Sequence, residues 1–524
     1  MRAALEMECP GFISQPEVWS IEDVRAYDIN TAWLGLPPLL LMENAGRSVA
    51  DAVECALGDV RGKKVVVYAG KGGNGGDAIV AARHLALRGA DVTVYLLYDP
   101  KLVEHRDALL NLQNLQRLRS VKIVHLDDPR DYRPQDVDVL IDGILGVGVK
   151  GKLREPIASA LAAFNASKGL RVAVDIPTGL DPDTGKAVEG TARVDITVTM
   201  GGLKPGLLAE EAKPYVGQVL VADIGTPRDA YVFAGPGDVA ARVPRRPRDA
   251  YKGGNGKVLS VGGSYHYFGA PFYMASAALY AGADLSFLAA PEDVAKSAAS
   301  SNPGIIPVPL KGEVIATEHV KALVEEAKHV DAVAIGPGLG TAEETKEAVA
   351  QLLEALRGKP VVIDADALKV VAERRIKLWP EAVLTPHRGE AKMLTGHDGE
   401  PQDLATEIAK TYGATVIVKA PKPPGDVICN PEGRCRFNLT GHPAMAVGGT
   451  GDVLTGITAG FLARRAALSK DLEPMNIAAA AAWTSGRAGE IAVEEKGDNI
   501  TAIDVLNKVQ AAIREAYSLL SGGG

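Results

Sequence analysis

Cysteine is scarce in this sequence, with Cys9, Cys55, Cys429 and Cys435 the four present in 524 residues. None belongs to a CxxC pair, which argues against a zinc site or a dithiol redox motif. Cys429 and Cys435 flank the turn NPEGR and could face each other across a hairpin. The expectation is nonetheless that all four stay reduced, as thiols do in the cytosol. A basic excess is also missing: Lys and Arg number 57 against 65 Asp and Glu, for a net charge of −8. That speaks against a nucleic-acid or anionic-membrane surface. No apolar run approaches the roughly 20 residues of a membrane span. The first twenty residues include Glu6, Glu8 and Pro10 and lack the apolar core of a signal peptide. The sequence contains no GxxxxGK[ST], so it is not a P-loop enzyme. It has no low-complexity tract and no convincing tandem repeat. A cytoplasmic protein acting on small molecules, without nucleic-acid or membrane partners and forming a homo-oligomer, is the expectation.

What is present is a long series of β-type runs separated by helical stretches. Residues 20–57 read as two helices, and the runs VVVYA (65–69), VTVYLL (92–97), VKIVHL (121–126), VDVLID (137–142), RVAVDIP (171–177) and VDITVTM (194–200) follow. Around 225–250 the pattern breaks into a Pro-, Gly- and Arg-rich connection. A second series comprises KVLSVGG (257–263), ADLSFLAA (283–290), AVAIGPG (332–338), PVVIDAD (360–366), EAVLTP (381–386) and ATVIVKA (414–420). The remainder is helical, from Asp452 to about Leu462 and again over 474–493. Apolar strands alternating with helices predict mostly parallel sheets covered on both faces. The expectation is therefore two α/β domains, residues 1–235 and 236–524.

The word KGGNG occurs at 71–75 and again at 252–256. The first copy follows a strand and opens a helix, and Gly70, Gly72 and Gly75 satisfy G-x-G-x-x-G. A dinucleotide dehydrogenase is one reading. Against it, Asp77 would repel a pyrophosphate placed at that helix start, and no acidic residue ends the second strand until Asp99. Two more strands end in Asp142, before a loop from Gly146 to Gly151, and in Asp175, before Thr178. Ligands collect at the C-terminal ends of parallel strands. The oxygen-bearing side chains of Asn74, Asp142 and Thr178 suit a hard cation such as K+.

LMENAG, GGNGGD, DGILGVG and DIPTG together resemble the YjeF N-terminal domain family, across roughly residues 18–225. The fold this resemblance implies is a Rossmann-like three-layer α/β domain. The activity it implies is epimerisation of hydrated nicotinamide nucleotides, NADHX and NADPHX, at the hydroxyl-bearing ring carbon. It implies K+ at Asn74, Asp142 and Thr178. It implies substrate at Gly73, Asn74, Gly75, Gly76 and Asp77, at Gly146, Val147, Gly148, Val149, Lys150, Gly151 and Lys152, and at Asp175. Asp175 is the expected acid–base residue, with Lys204 of GGLKPG as its charge partner. The family has two Asn before GGD, whereas here the first is Gly73.

The second KGGNG precedes a strand, so it is not a strand–helix phosphate turn and reads as a flexible approach to the domain. The informative stretch lies downstream, in NLTGHPAMAVGGTGDVLTGITAGFLARR. Gly448, Gly449 and Gly451 precede a helix, whose free N–H groups make an anion hole. A carboxylate at the mouth of an anion hole, Asp452, fits a general base acting on a substrate hydroxyl.

GGTGD resembles the anion-hole motif of the ribokinase-like superfamily. With KGGNGKVLSVGGS, AIGPGLG, VIDADAL, LTPHRGE and FNLTGHPAMAVGGTGD it is similar to the NAD(P)HX dehydratase domain, over about 245–520. That implies phosphorylation of the 6-hydroxyl by ADP or ATP, with Mg2+, followed by loss of phosphate to restore NAD(P)H. Asp452 would activate the hydroxyl, and His387, Ala270 and Gly340 would line the substrate cleft. Gly451, Lys419, Ala420, Pro421, Lys422 and Pro423 would hold the nucleotide, although KAPKPPGDVI replaces the family's short Lys-Gly turn. The alternative is a small-molecule (vitamin precursor) kinase of ribokinase type fused to a noncatalytic binding domain.

Overall fold

The computed structural model describes residues 9–103, 105–126, 128–146, 151–421, 425–468 and 472–521. The chain divides into two bodies, the first ending at Pro227 and the second running Arg228–Leu520.

The first body opens with two helices, α1 (Ile21–Trp33) and α2 (Pro38–Leu57). Ser20 and Asp23 close a capping box at the start of α1, and Pro38 supplies a preset φ at the start of α2. Then follow β1 (Lys64–Ala69), α3 (Gly73–Leu87), β2 (Asp91–Leu96), α4 (Arg106–Gln116), β3 (Val121–His125) and β4 (Asp136–Gly143). The body continues with α5 (Ile157–Ala166), β5 (Lys168–Val174), β6 (Ile196–Met200), α6 (Lys213–Val216) and β7 (Gln218–Ala222). Among the described residues the strands form one sheet in the order β3-β2-β1-β4-β5-β6-β7, with every neighbouring pair parallel. One face packs under α2, α3 and α4 through Val49, Val53, Ile79, Leu85 and Leu112. On the other face Leu161 and Phe164 of α5 meet Tyr68, Leu140 and Ala173. The strand order reverses between β1 and β4, which opens a crevice at the C-terminal ends of those two strands.

The second body holds α7 (Asp229–Val232), α8 (Pro236–Arg242), β8 (Lys257–Val261), α9 (Gly269–Tyr280), β9 (Leu285–Pro291), α10 (Glu292–Ser301) and β10 (Ile305–Leu310). Next come α11 (Val320–Lys328), β11 (Ala332–Ile335), α12 (Glu343–Ala355), β12 (Val361–Ile363), α13 (Ala365–Arg374), β13 (Ala382–Leu384), α14 (Arg388–Thr395) and α15 (Pro401–Tyr412). It ends with β14 (Thr415–Val418), β15 (Asp426–Cys429), β16 (Cys435–Asn438), α16 (Thr450–Leu468), α17 (Pro474–Lys496) and α18 (Ala502–Ser518). Its nine described strands run β10-β9-β8-β11-β12-β13-β14-β15-β16. They are parallel except at the β15–β16 hairpin, which is antiparallel on both sides of β15. The buried face of α16 and the small-residue stretch of α17 form one core layer, and Leu352, Leu368, Leu394 and Ile408 belong to the other. No described helix is long and apolar enough to cross a membrane.

Four expectations change. The border falls at 227/228 because Phe233 bridges to Phe437 and Ala234 N donates to Phe437 O at 2.7 Å. Asp238 of α8 is fully buried between Arg242 and Arg436. Burial pushes its carboxyl up, but the two guanidinium groups outweigh that and hold it below the usual range. Two parallel strands escape the sequence reading, and β15 and β16 entered it only as the hairpin that Cys429 and Cys435 could flank. β7 is short, and β10 carries Pro307 and Pro309 two positions apart, so their missing N–H groups share the outer edge. The cysteines are not free: Cys429 pairs with Cys435 across the hairpin, and Cys9 pairs with Cys55. Finally, the second KGGNG is not slack. Gly253 N and Asn255 N donate to Asp284 Oδ2 at 2.9 and 3.0 Å, and Asn255 is buried.

Candidate functional site

In the first body the site grows from four strand ends on one edge of the sheet. The turn after β1 must pass close to the loop after β4. A Cβ on Gly70 would lie 1.7 Å from Ile144 O, and one on Gly75 would lie 1.7 Å from Gly70 O. Only glycine permits both approaches, and together they bring Asn74 to Leu145, whose carbonyl accepts from Asn74 Nδ2 at 3.2 Å. Asp142, at the end of β4, is fully buried. It accepts from Thr178 N and Thr178 Oγ1, both at 2.7 Å, and from Ile144 N at 3.2 Å. Leu145 N donates back to Thr178 Oγ1 at 3.0 Å. Burial raises the Asp142 carboxyl to about 6, and its hydrogen bonds pull the other way. Asn74, Asp142 and Thr178 thus meet around one loop.

Asp175 follows β5 and carries φ 61, a left-handed backbone that costs an aspartate roughly 1 kcal/mol. The surroundings impose it: Thr199 Oγ1 and Met200 N each donate to Asp175 Oδ1 at 3.1 Å. Lys204 Nζ, fully buried, donates to the same oxygen at 2.6 Å and to Met200 O at 2.7 Å. Asp77, in the first turns of α3, belongs to the same centre. Burial, then Asp175 and Asp28, push its carboxyl well above the ordinary range. The protonated form of Asp77 is thereby favoured. Of the expected contacts, Gly146 lies against Asn74, and Gly151 and Lys152 are exposed on the loop beyond. Val147, Gly148, Val149 and Lys150 lie outside the described residues.

In the second body Asp452 sits in the first turn of α16. Burial, reinforced by Asp364, lifts its carboxyl to about 7, with Lys419 acting in the opposite sense. Lys419, just past β14, donates to Asp364 Oδ1 at 3.1 Å. Burial alone would lower its ammonium group, but Asp364, Glu390 and Asp452 outweigh it and hold the pKa above the ordinary lysine value. Gly451 has a spatial reason, since a Cβ there would lie 3.1 Å from Lys419 Nζ. Thr455 Oγ1, one turn further along α16, donates to Asp364 Oδ2 at 2.7 Å. Gly340 N donates to Asp366 Oδ2 at 2.9 Å, and Ser264 Oγ donates to Gly338 O at 2.8 Å, which joins the loops after β8 and β11. Ala270, in the first turn of α9, is half-buried.

His387 is the N-cap of α14: its Nδ1 accepts from Gly389 N at 3.0 Å and Glu390 N at 3.2 Å. Its side chain is 61% exposed, with Nε2 3.6 Å from Glu390 Oε2. Ala420 N is already committed, at 3.3 Å, to Asp426 Oδ1, and Pro421 is exposed. Lys422 and Pro423 lie outside the described residues. Asp364, Asp366, Glu390 and Thr455 were not singled out from the sequence. The signal was available for Asp364, Asp366 and Glu390, which stand inside VIDADAL and LTPHRGE, but only packing shows that Asp364 and Glu390 face Lys419.

Residues 39–206 match the family described as YjeF-related protein N-terminus, and residues 258–511 match NAD(P)H-hydrate dehydratase. A bifunctional NAD(P)H-hydrate repair enzyme of Hyperthermus butylicus is 45% identical over 505 residues, covering 94% of this chain and 91% of that one. Its counterpart in Pyrobaculum aerophilum is 43% identical over 94% of this chain and 98% of its own. The one in Methanothermobacter thermautotrophicus is 38% identical over 97% and 98%. Because the likeness runs through both bodies and both charged centres, the chain belongs to the family of bifunctional NAD(P)H-hydrate repair enzymes.

Proposed function

We propose that this chain restores hydrated NADH and NADPH, the first body interconverting the R and S epimers and the second dehydrating the S form with ADP. What carries the reading is that each body of this family member has a carboxyl–lysine centre at its strand ends. These are Asp175–Lys204 in the first body and Asp452 beside Lys419–Asp364 in the second.

In the second body Asp452 takes the proton of the 6-hydroxyl as that oxygen attacks the terminal phosphoryl group of the nucleotide. Backbone N–H groups of the GGTG segment face the phosphoryl oxygens, and Lys419 offsets their charge. Phosphate is a better leaving group than hydroxide: the N1 lone pair expels it from C6, and loss of a C5 proton to solvent then restores the C5=C6 double bond. A magnesium ion would arrive with the nucleotide and keep most of its water shell, since no three acidic or histidine side chains among the described residues converge on a metal site. His387 Nε2, Ala270 and Gly340 line the substrate side, and Gly451 and the 419–423 segment the nucleotide side.

In the first body the 73–77 turn, the 146–152 loop and Asp175 hold the damaged ring. Asn74, Asp142, Thr178 and the Leu145 carbonyl fit a potassium ion. Asp142 is a fully buried carboxylate surrounded by neutral oxygens and dipoles, a donor set that a hard monovalent cation balances. Such an ion would lend positive charge to the crevice between β1 and β4, and the protein residues do the rest.

The test of the dehydratase half uses the pure S epimer of NADHX. ADP should yield NADH with one inorganic phosphate released per NADH, read by absorbance and a phosphate assay. A stable phosphorylated product with no NADH would favour a kinase of vitamin-like alcohols instead.

A further inference from the structure

The second body contains an aspartate at a helix N-terminus that does not cap its helix. Asp364 occupies the N-cap position of α13, where a carboxylate ordinarily accepts from backbone N–H groups of the first turn. Its side chain makes no such bond. The backbone around it follows an uncommon path. Ala365, the next residue, has φ 49, a left-handed conformation that alanine rarely adopts. Gly336 comes so close that a Cβ there would lie 1.8 Å from Asp364 O. Asp364 N donates to Ile335 O at 3.0 Å. With the backbone so placed, the carboxylate is buried, and both of its oxygens are taken.

Oδ1 accepts from Lys419 Nζ at 3.1 Å, and Oδ2 accepts from Thr455 Oγ1 at 2.7 Å. Thr455 is fully buried in α16, and its hydroxyl has one proton to give. Gly451 O, one turn back, is the usual acceptor for a threonine inside a helix, but it lies at 3.1 Å. The shorter bond to a charged oxygen takes the proton. Asp364 therefore has no open oxygen with which to act as a base. Its two bonds join three segments: the end of β12, the residue after β14 and the start of α16. Thr455 follows Asp452 by three residues, so the two share one face of α16.

Lys419 Nζ carries three donors. Asp364 takes one, and no other described residue accepts from it. Its backbone is fixed as well, since Lys419 N donates to Pro386 O at 2.9 Å. A Cβ on Gly451 would lie 3.1 Å from Nζ, so the ammonium group stands beside the GGTG segment. As the substrate oxygen attacks the terminal phosphoryl group and the bond to the rest of the nucleotide breaks, negative charge gathers on the phosphoryl oxygens. A cation held in place there lowers the barrier. A flexible lysine stem does not hold such a place unaided. We infer that Thr455 and Asp364 are positioning residues that aim the Lys419 ammonium group at the transferring phosphoryl group, an assignment that rests on the dehydratase reading of the second body.

The experiment measures NADH formation from the pure S epimer with ADP, together with thermal midpoints, in the full-length wild type and in Thr455→Val, Thr455→Ser and Asp364→Asn. Thr455→Val keeps the shape and loses the hydroxyl. It should lower kcat on the order of 10-fold, short of the roughly 10²-fold loss of a deleted transition-state donor, and leave KM for the S epimer unchanged. Thr455→Ser should restore most of the rate. Asp364→Asn should lower kcat at least as far as Thr455→Val, and it decides the matter if Thr455→Val does not fold. It should also bring the alkaline fall in rate, which marks loss of the Lys419 proton, to lower pH, with Glu390 and Asp452 the remaining anions facing that lysine. A wild-type kcat in Thr455→Val would overturn the assignment. So would equal losses in the Val and Ser variants, or an alkaline limb unmoved in Asp364→Asn. A wild type that forms no NADH from the S epimer would overturn the dehydratase reading, and the assignment with it.

Discussion

In the proposed reactions, Asp452 and Asp175 are prepared for proton transfer in two different ways. Asp452 is raised to about 7 by burial and neighbouring carboxylates, so it titrates where a base must alternate between states. Asp175 is held in a left-handed turn by Lys204, Thr199 and Met200. The raised carboxyl has a stability consequence. A carboxyl that binds its proton more tightly when folded makes the native state lose stability as pH climbs from the unfolded value, near 3.8, through about 7. Asp452→Asn has no charge to bury. It should abolish NADH formation from the S epimer yet raise the denaturation midpoint of the second body, with the gain nearly absent at pH 4 and complete above pH 7. Chemical denaturation at several pH values checks this, and an Asn variant less stable than wild type at pH 8 would contradict it. Asp452, Asp175, Lys204, Asn74, Asp142 and Thr178 were legible because each stands in a polar or glycine-rich break directly after an apolar run. Asp364 was not singled out, because only packing sets its carboxylate 3.1 Å from Lys419 Nζ and 2.7 Å from Thr455 Oγ1.

Among the elements, the loop after β4 does the most for the first body. Its glycine-dependent approach to the β1–α3 turn gathers Asn74, Leu145, Asp142 and Thr178. Thr178 holds both ends of this arrangement, giving a hydroxyl proton to Asp142 and accepting from Leu145 N. Thr178→Val leaves a buried carboxylate short of a donor, a loss of about 1–3 kcal/mol. In the wild type, potassium chloride should raise the thermal midpoint of the first body above its value in lithium chloride at equal ionic strength, since a ligand of the native state alone stabilises it. In Thr178→Val that difference should shrink or vanish, and an undiminished difference would put the ion elsewhere. The parallel runs of both sheets were readable from period and composition. The exceptions have physical reasons: β10 hides behind two prolines, and β7 is a short strand after Gly217. The Cys429–Cys435 pair was set aside because compartment was weighed above geometry, although the two stand opposite each other in register, and nothing in the spacing pointed to Cys9 and Cys55, which lie 46 residues apart.

For the molecule as a whole, each body has its own sheet and its own charged centre, and the family match spans both. The chemistry gives a reason for the pairing. Hydration produces both epimers at C6, and a dehydratase selective for one leaves the other behind unless something interconverts them. The repeated KGGNG divides in the same way. The first copy builds the crevice of one site, and the second grips Asp284 as the chain enters β8. The most direct measurement offers the protein an equal mixture of R and S NADHX with ADP and follows the absorbance of reduced nicotinamide to completion. The prediction is full recovery of NADH by the wild type, and in Asp175→Asn a fast recovery of half followed by a phase no faster than spontaneous epimerisation. A wild-type trace that stops at half, or an Asp175→Asn trace that matches the wild type, would contradict the account.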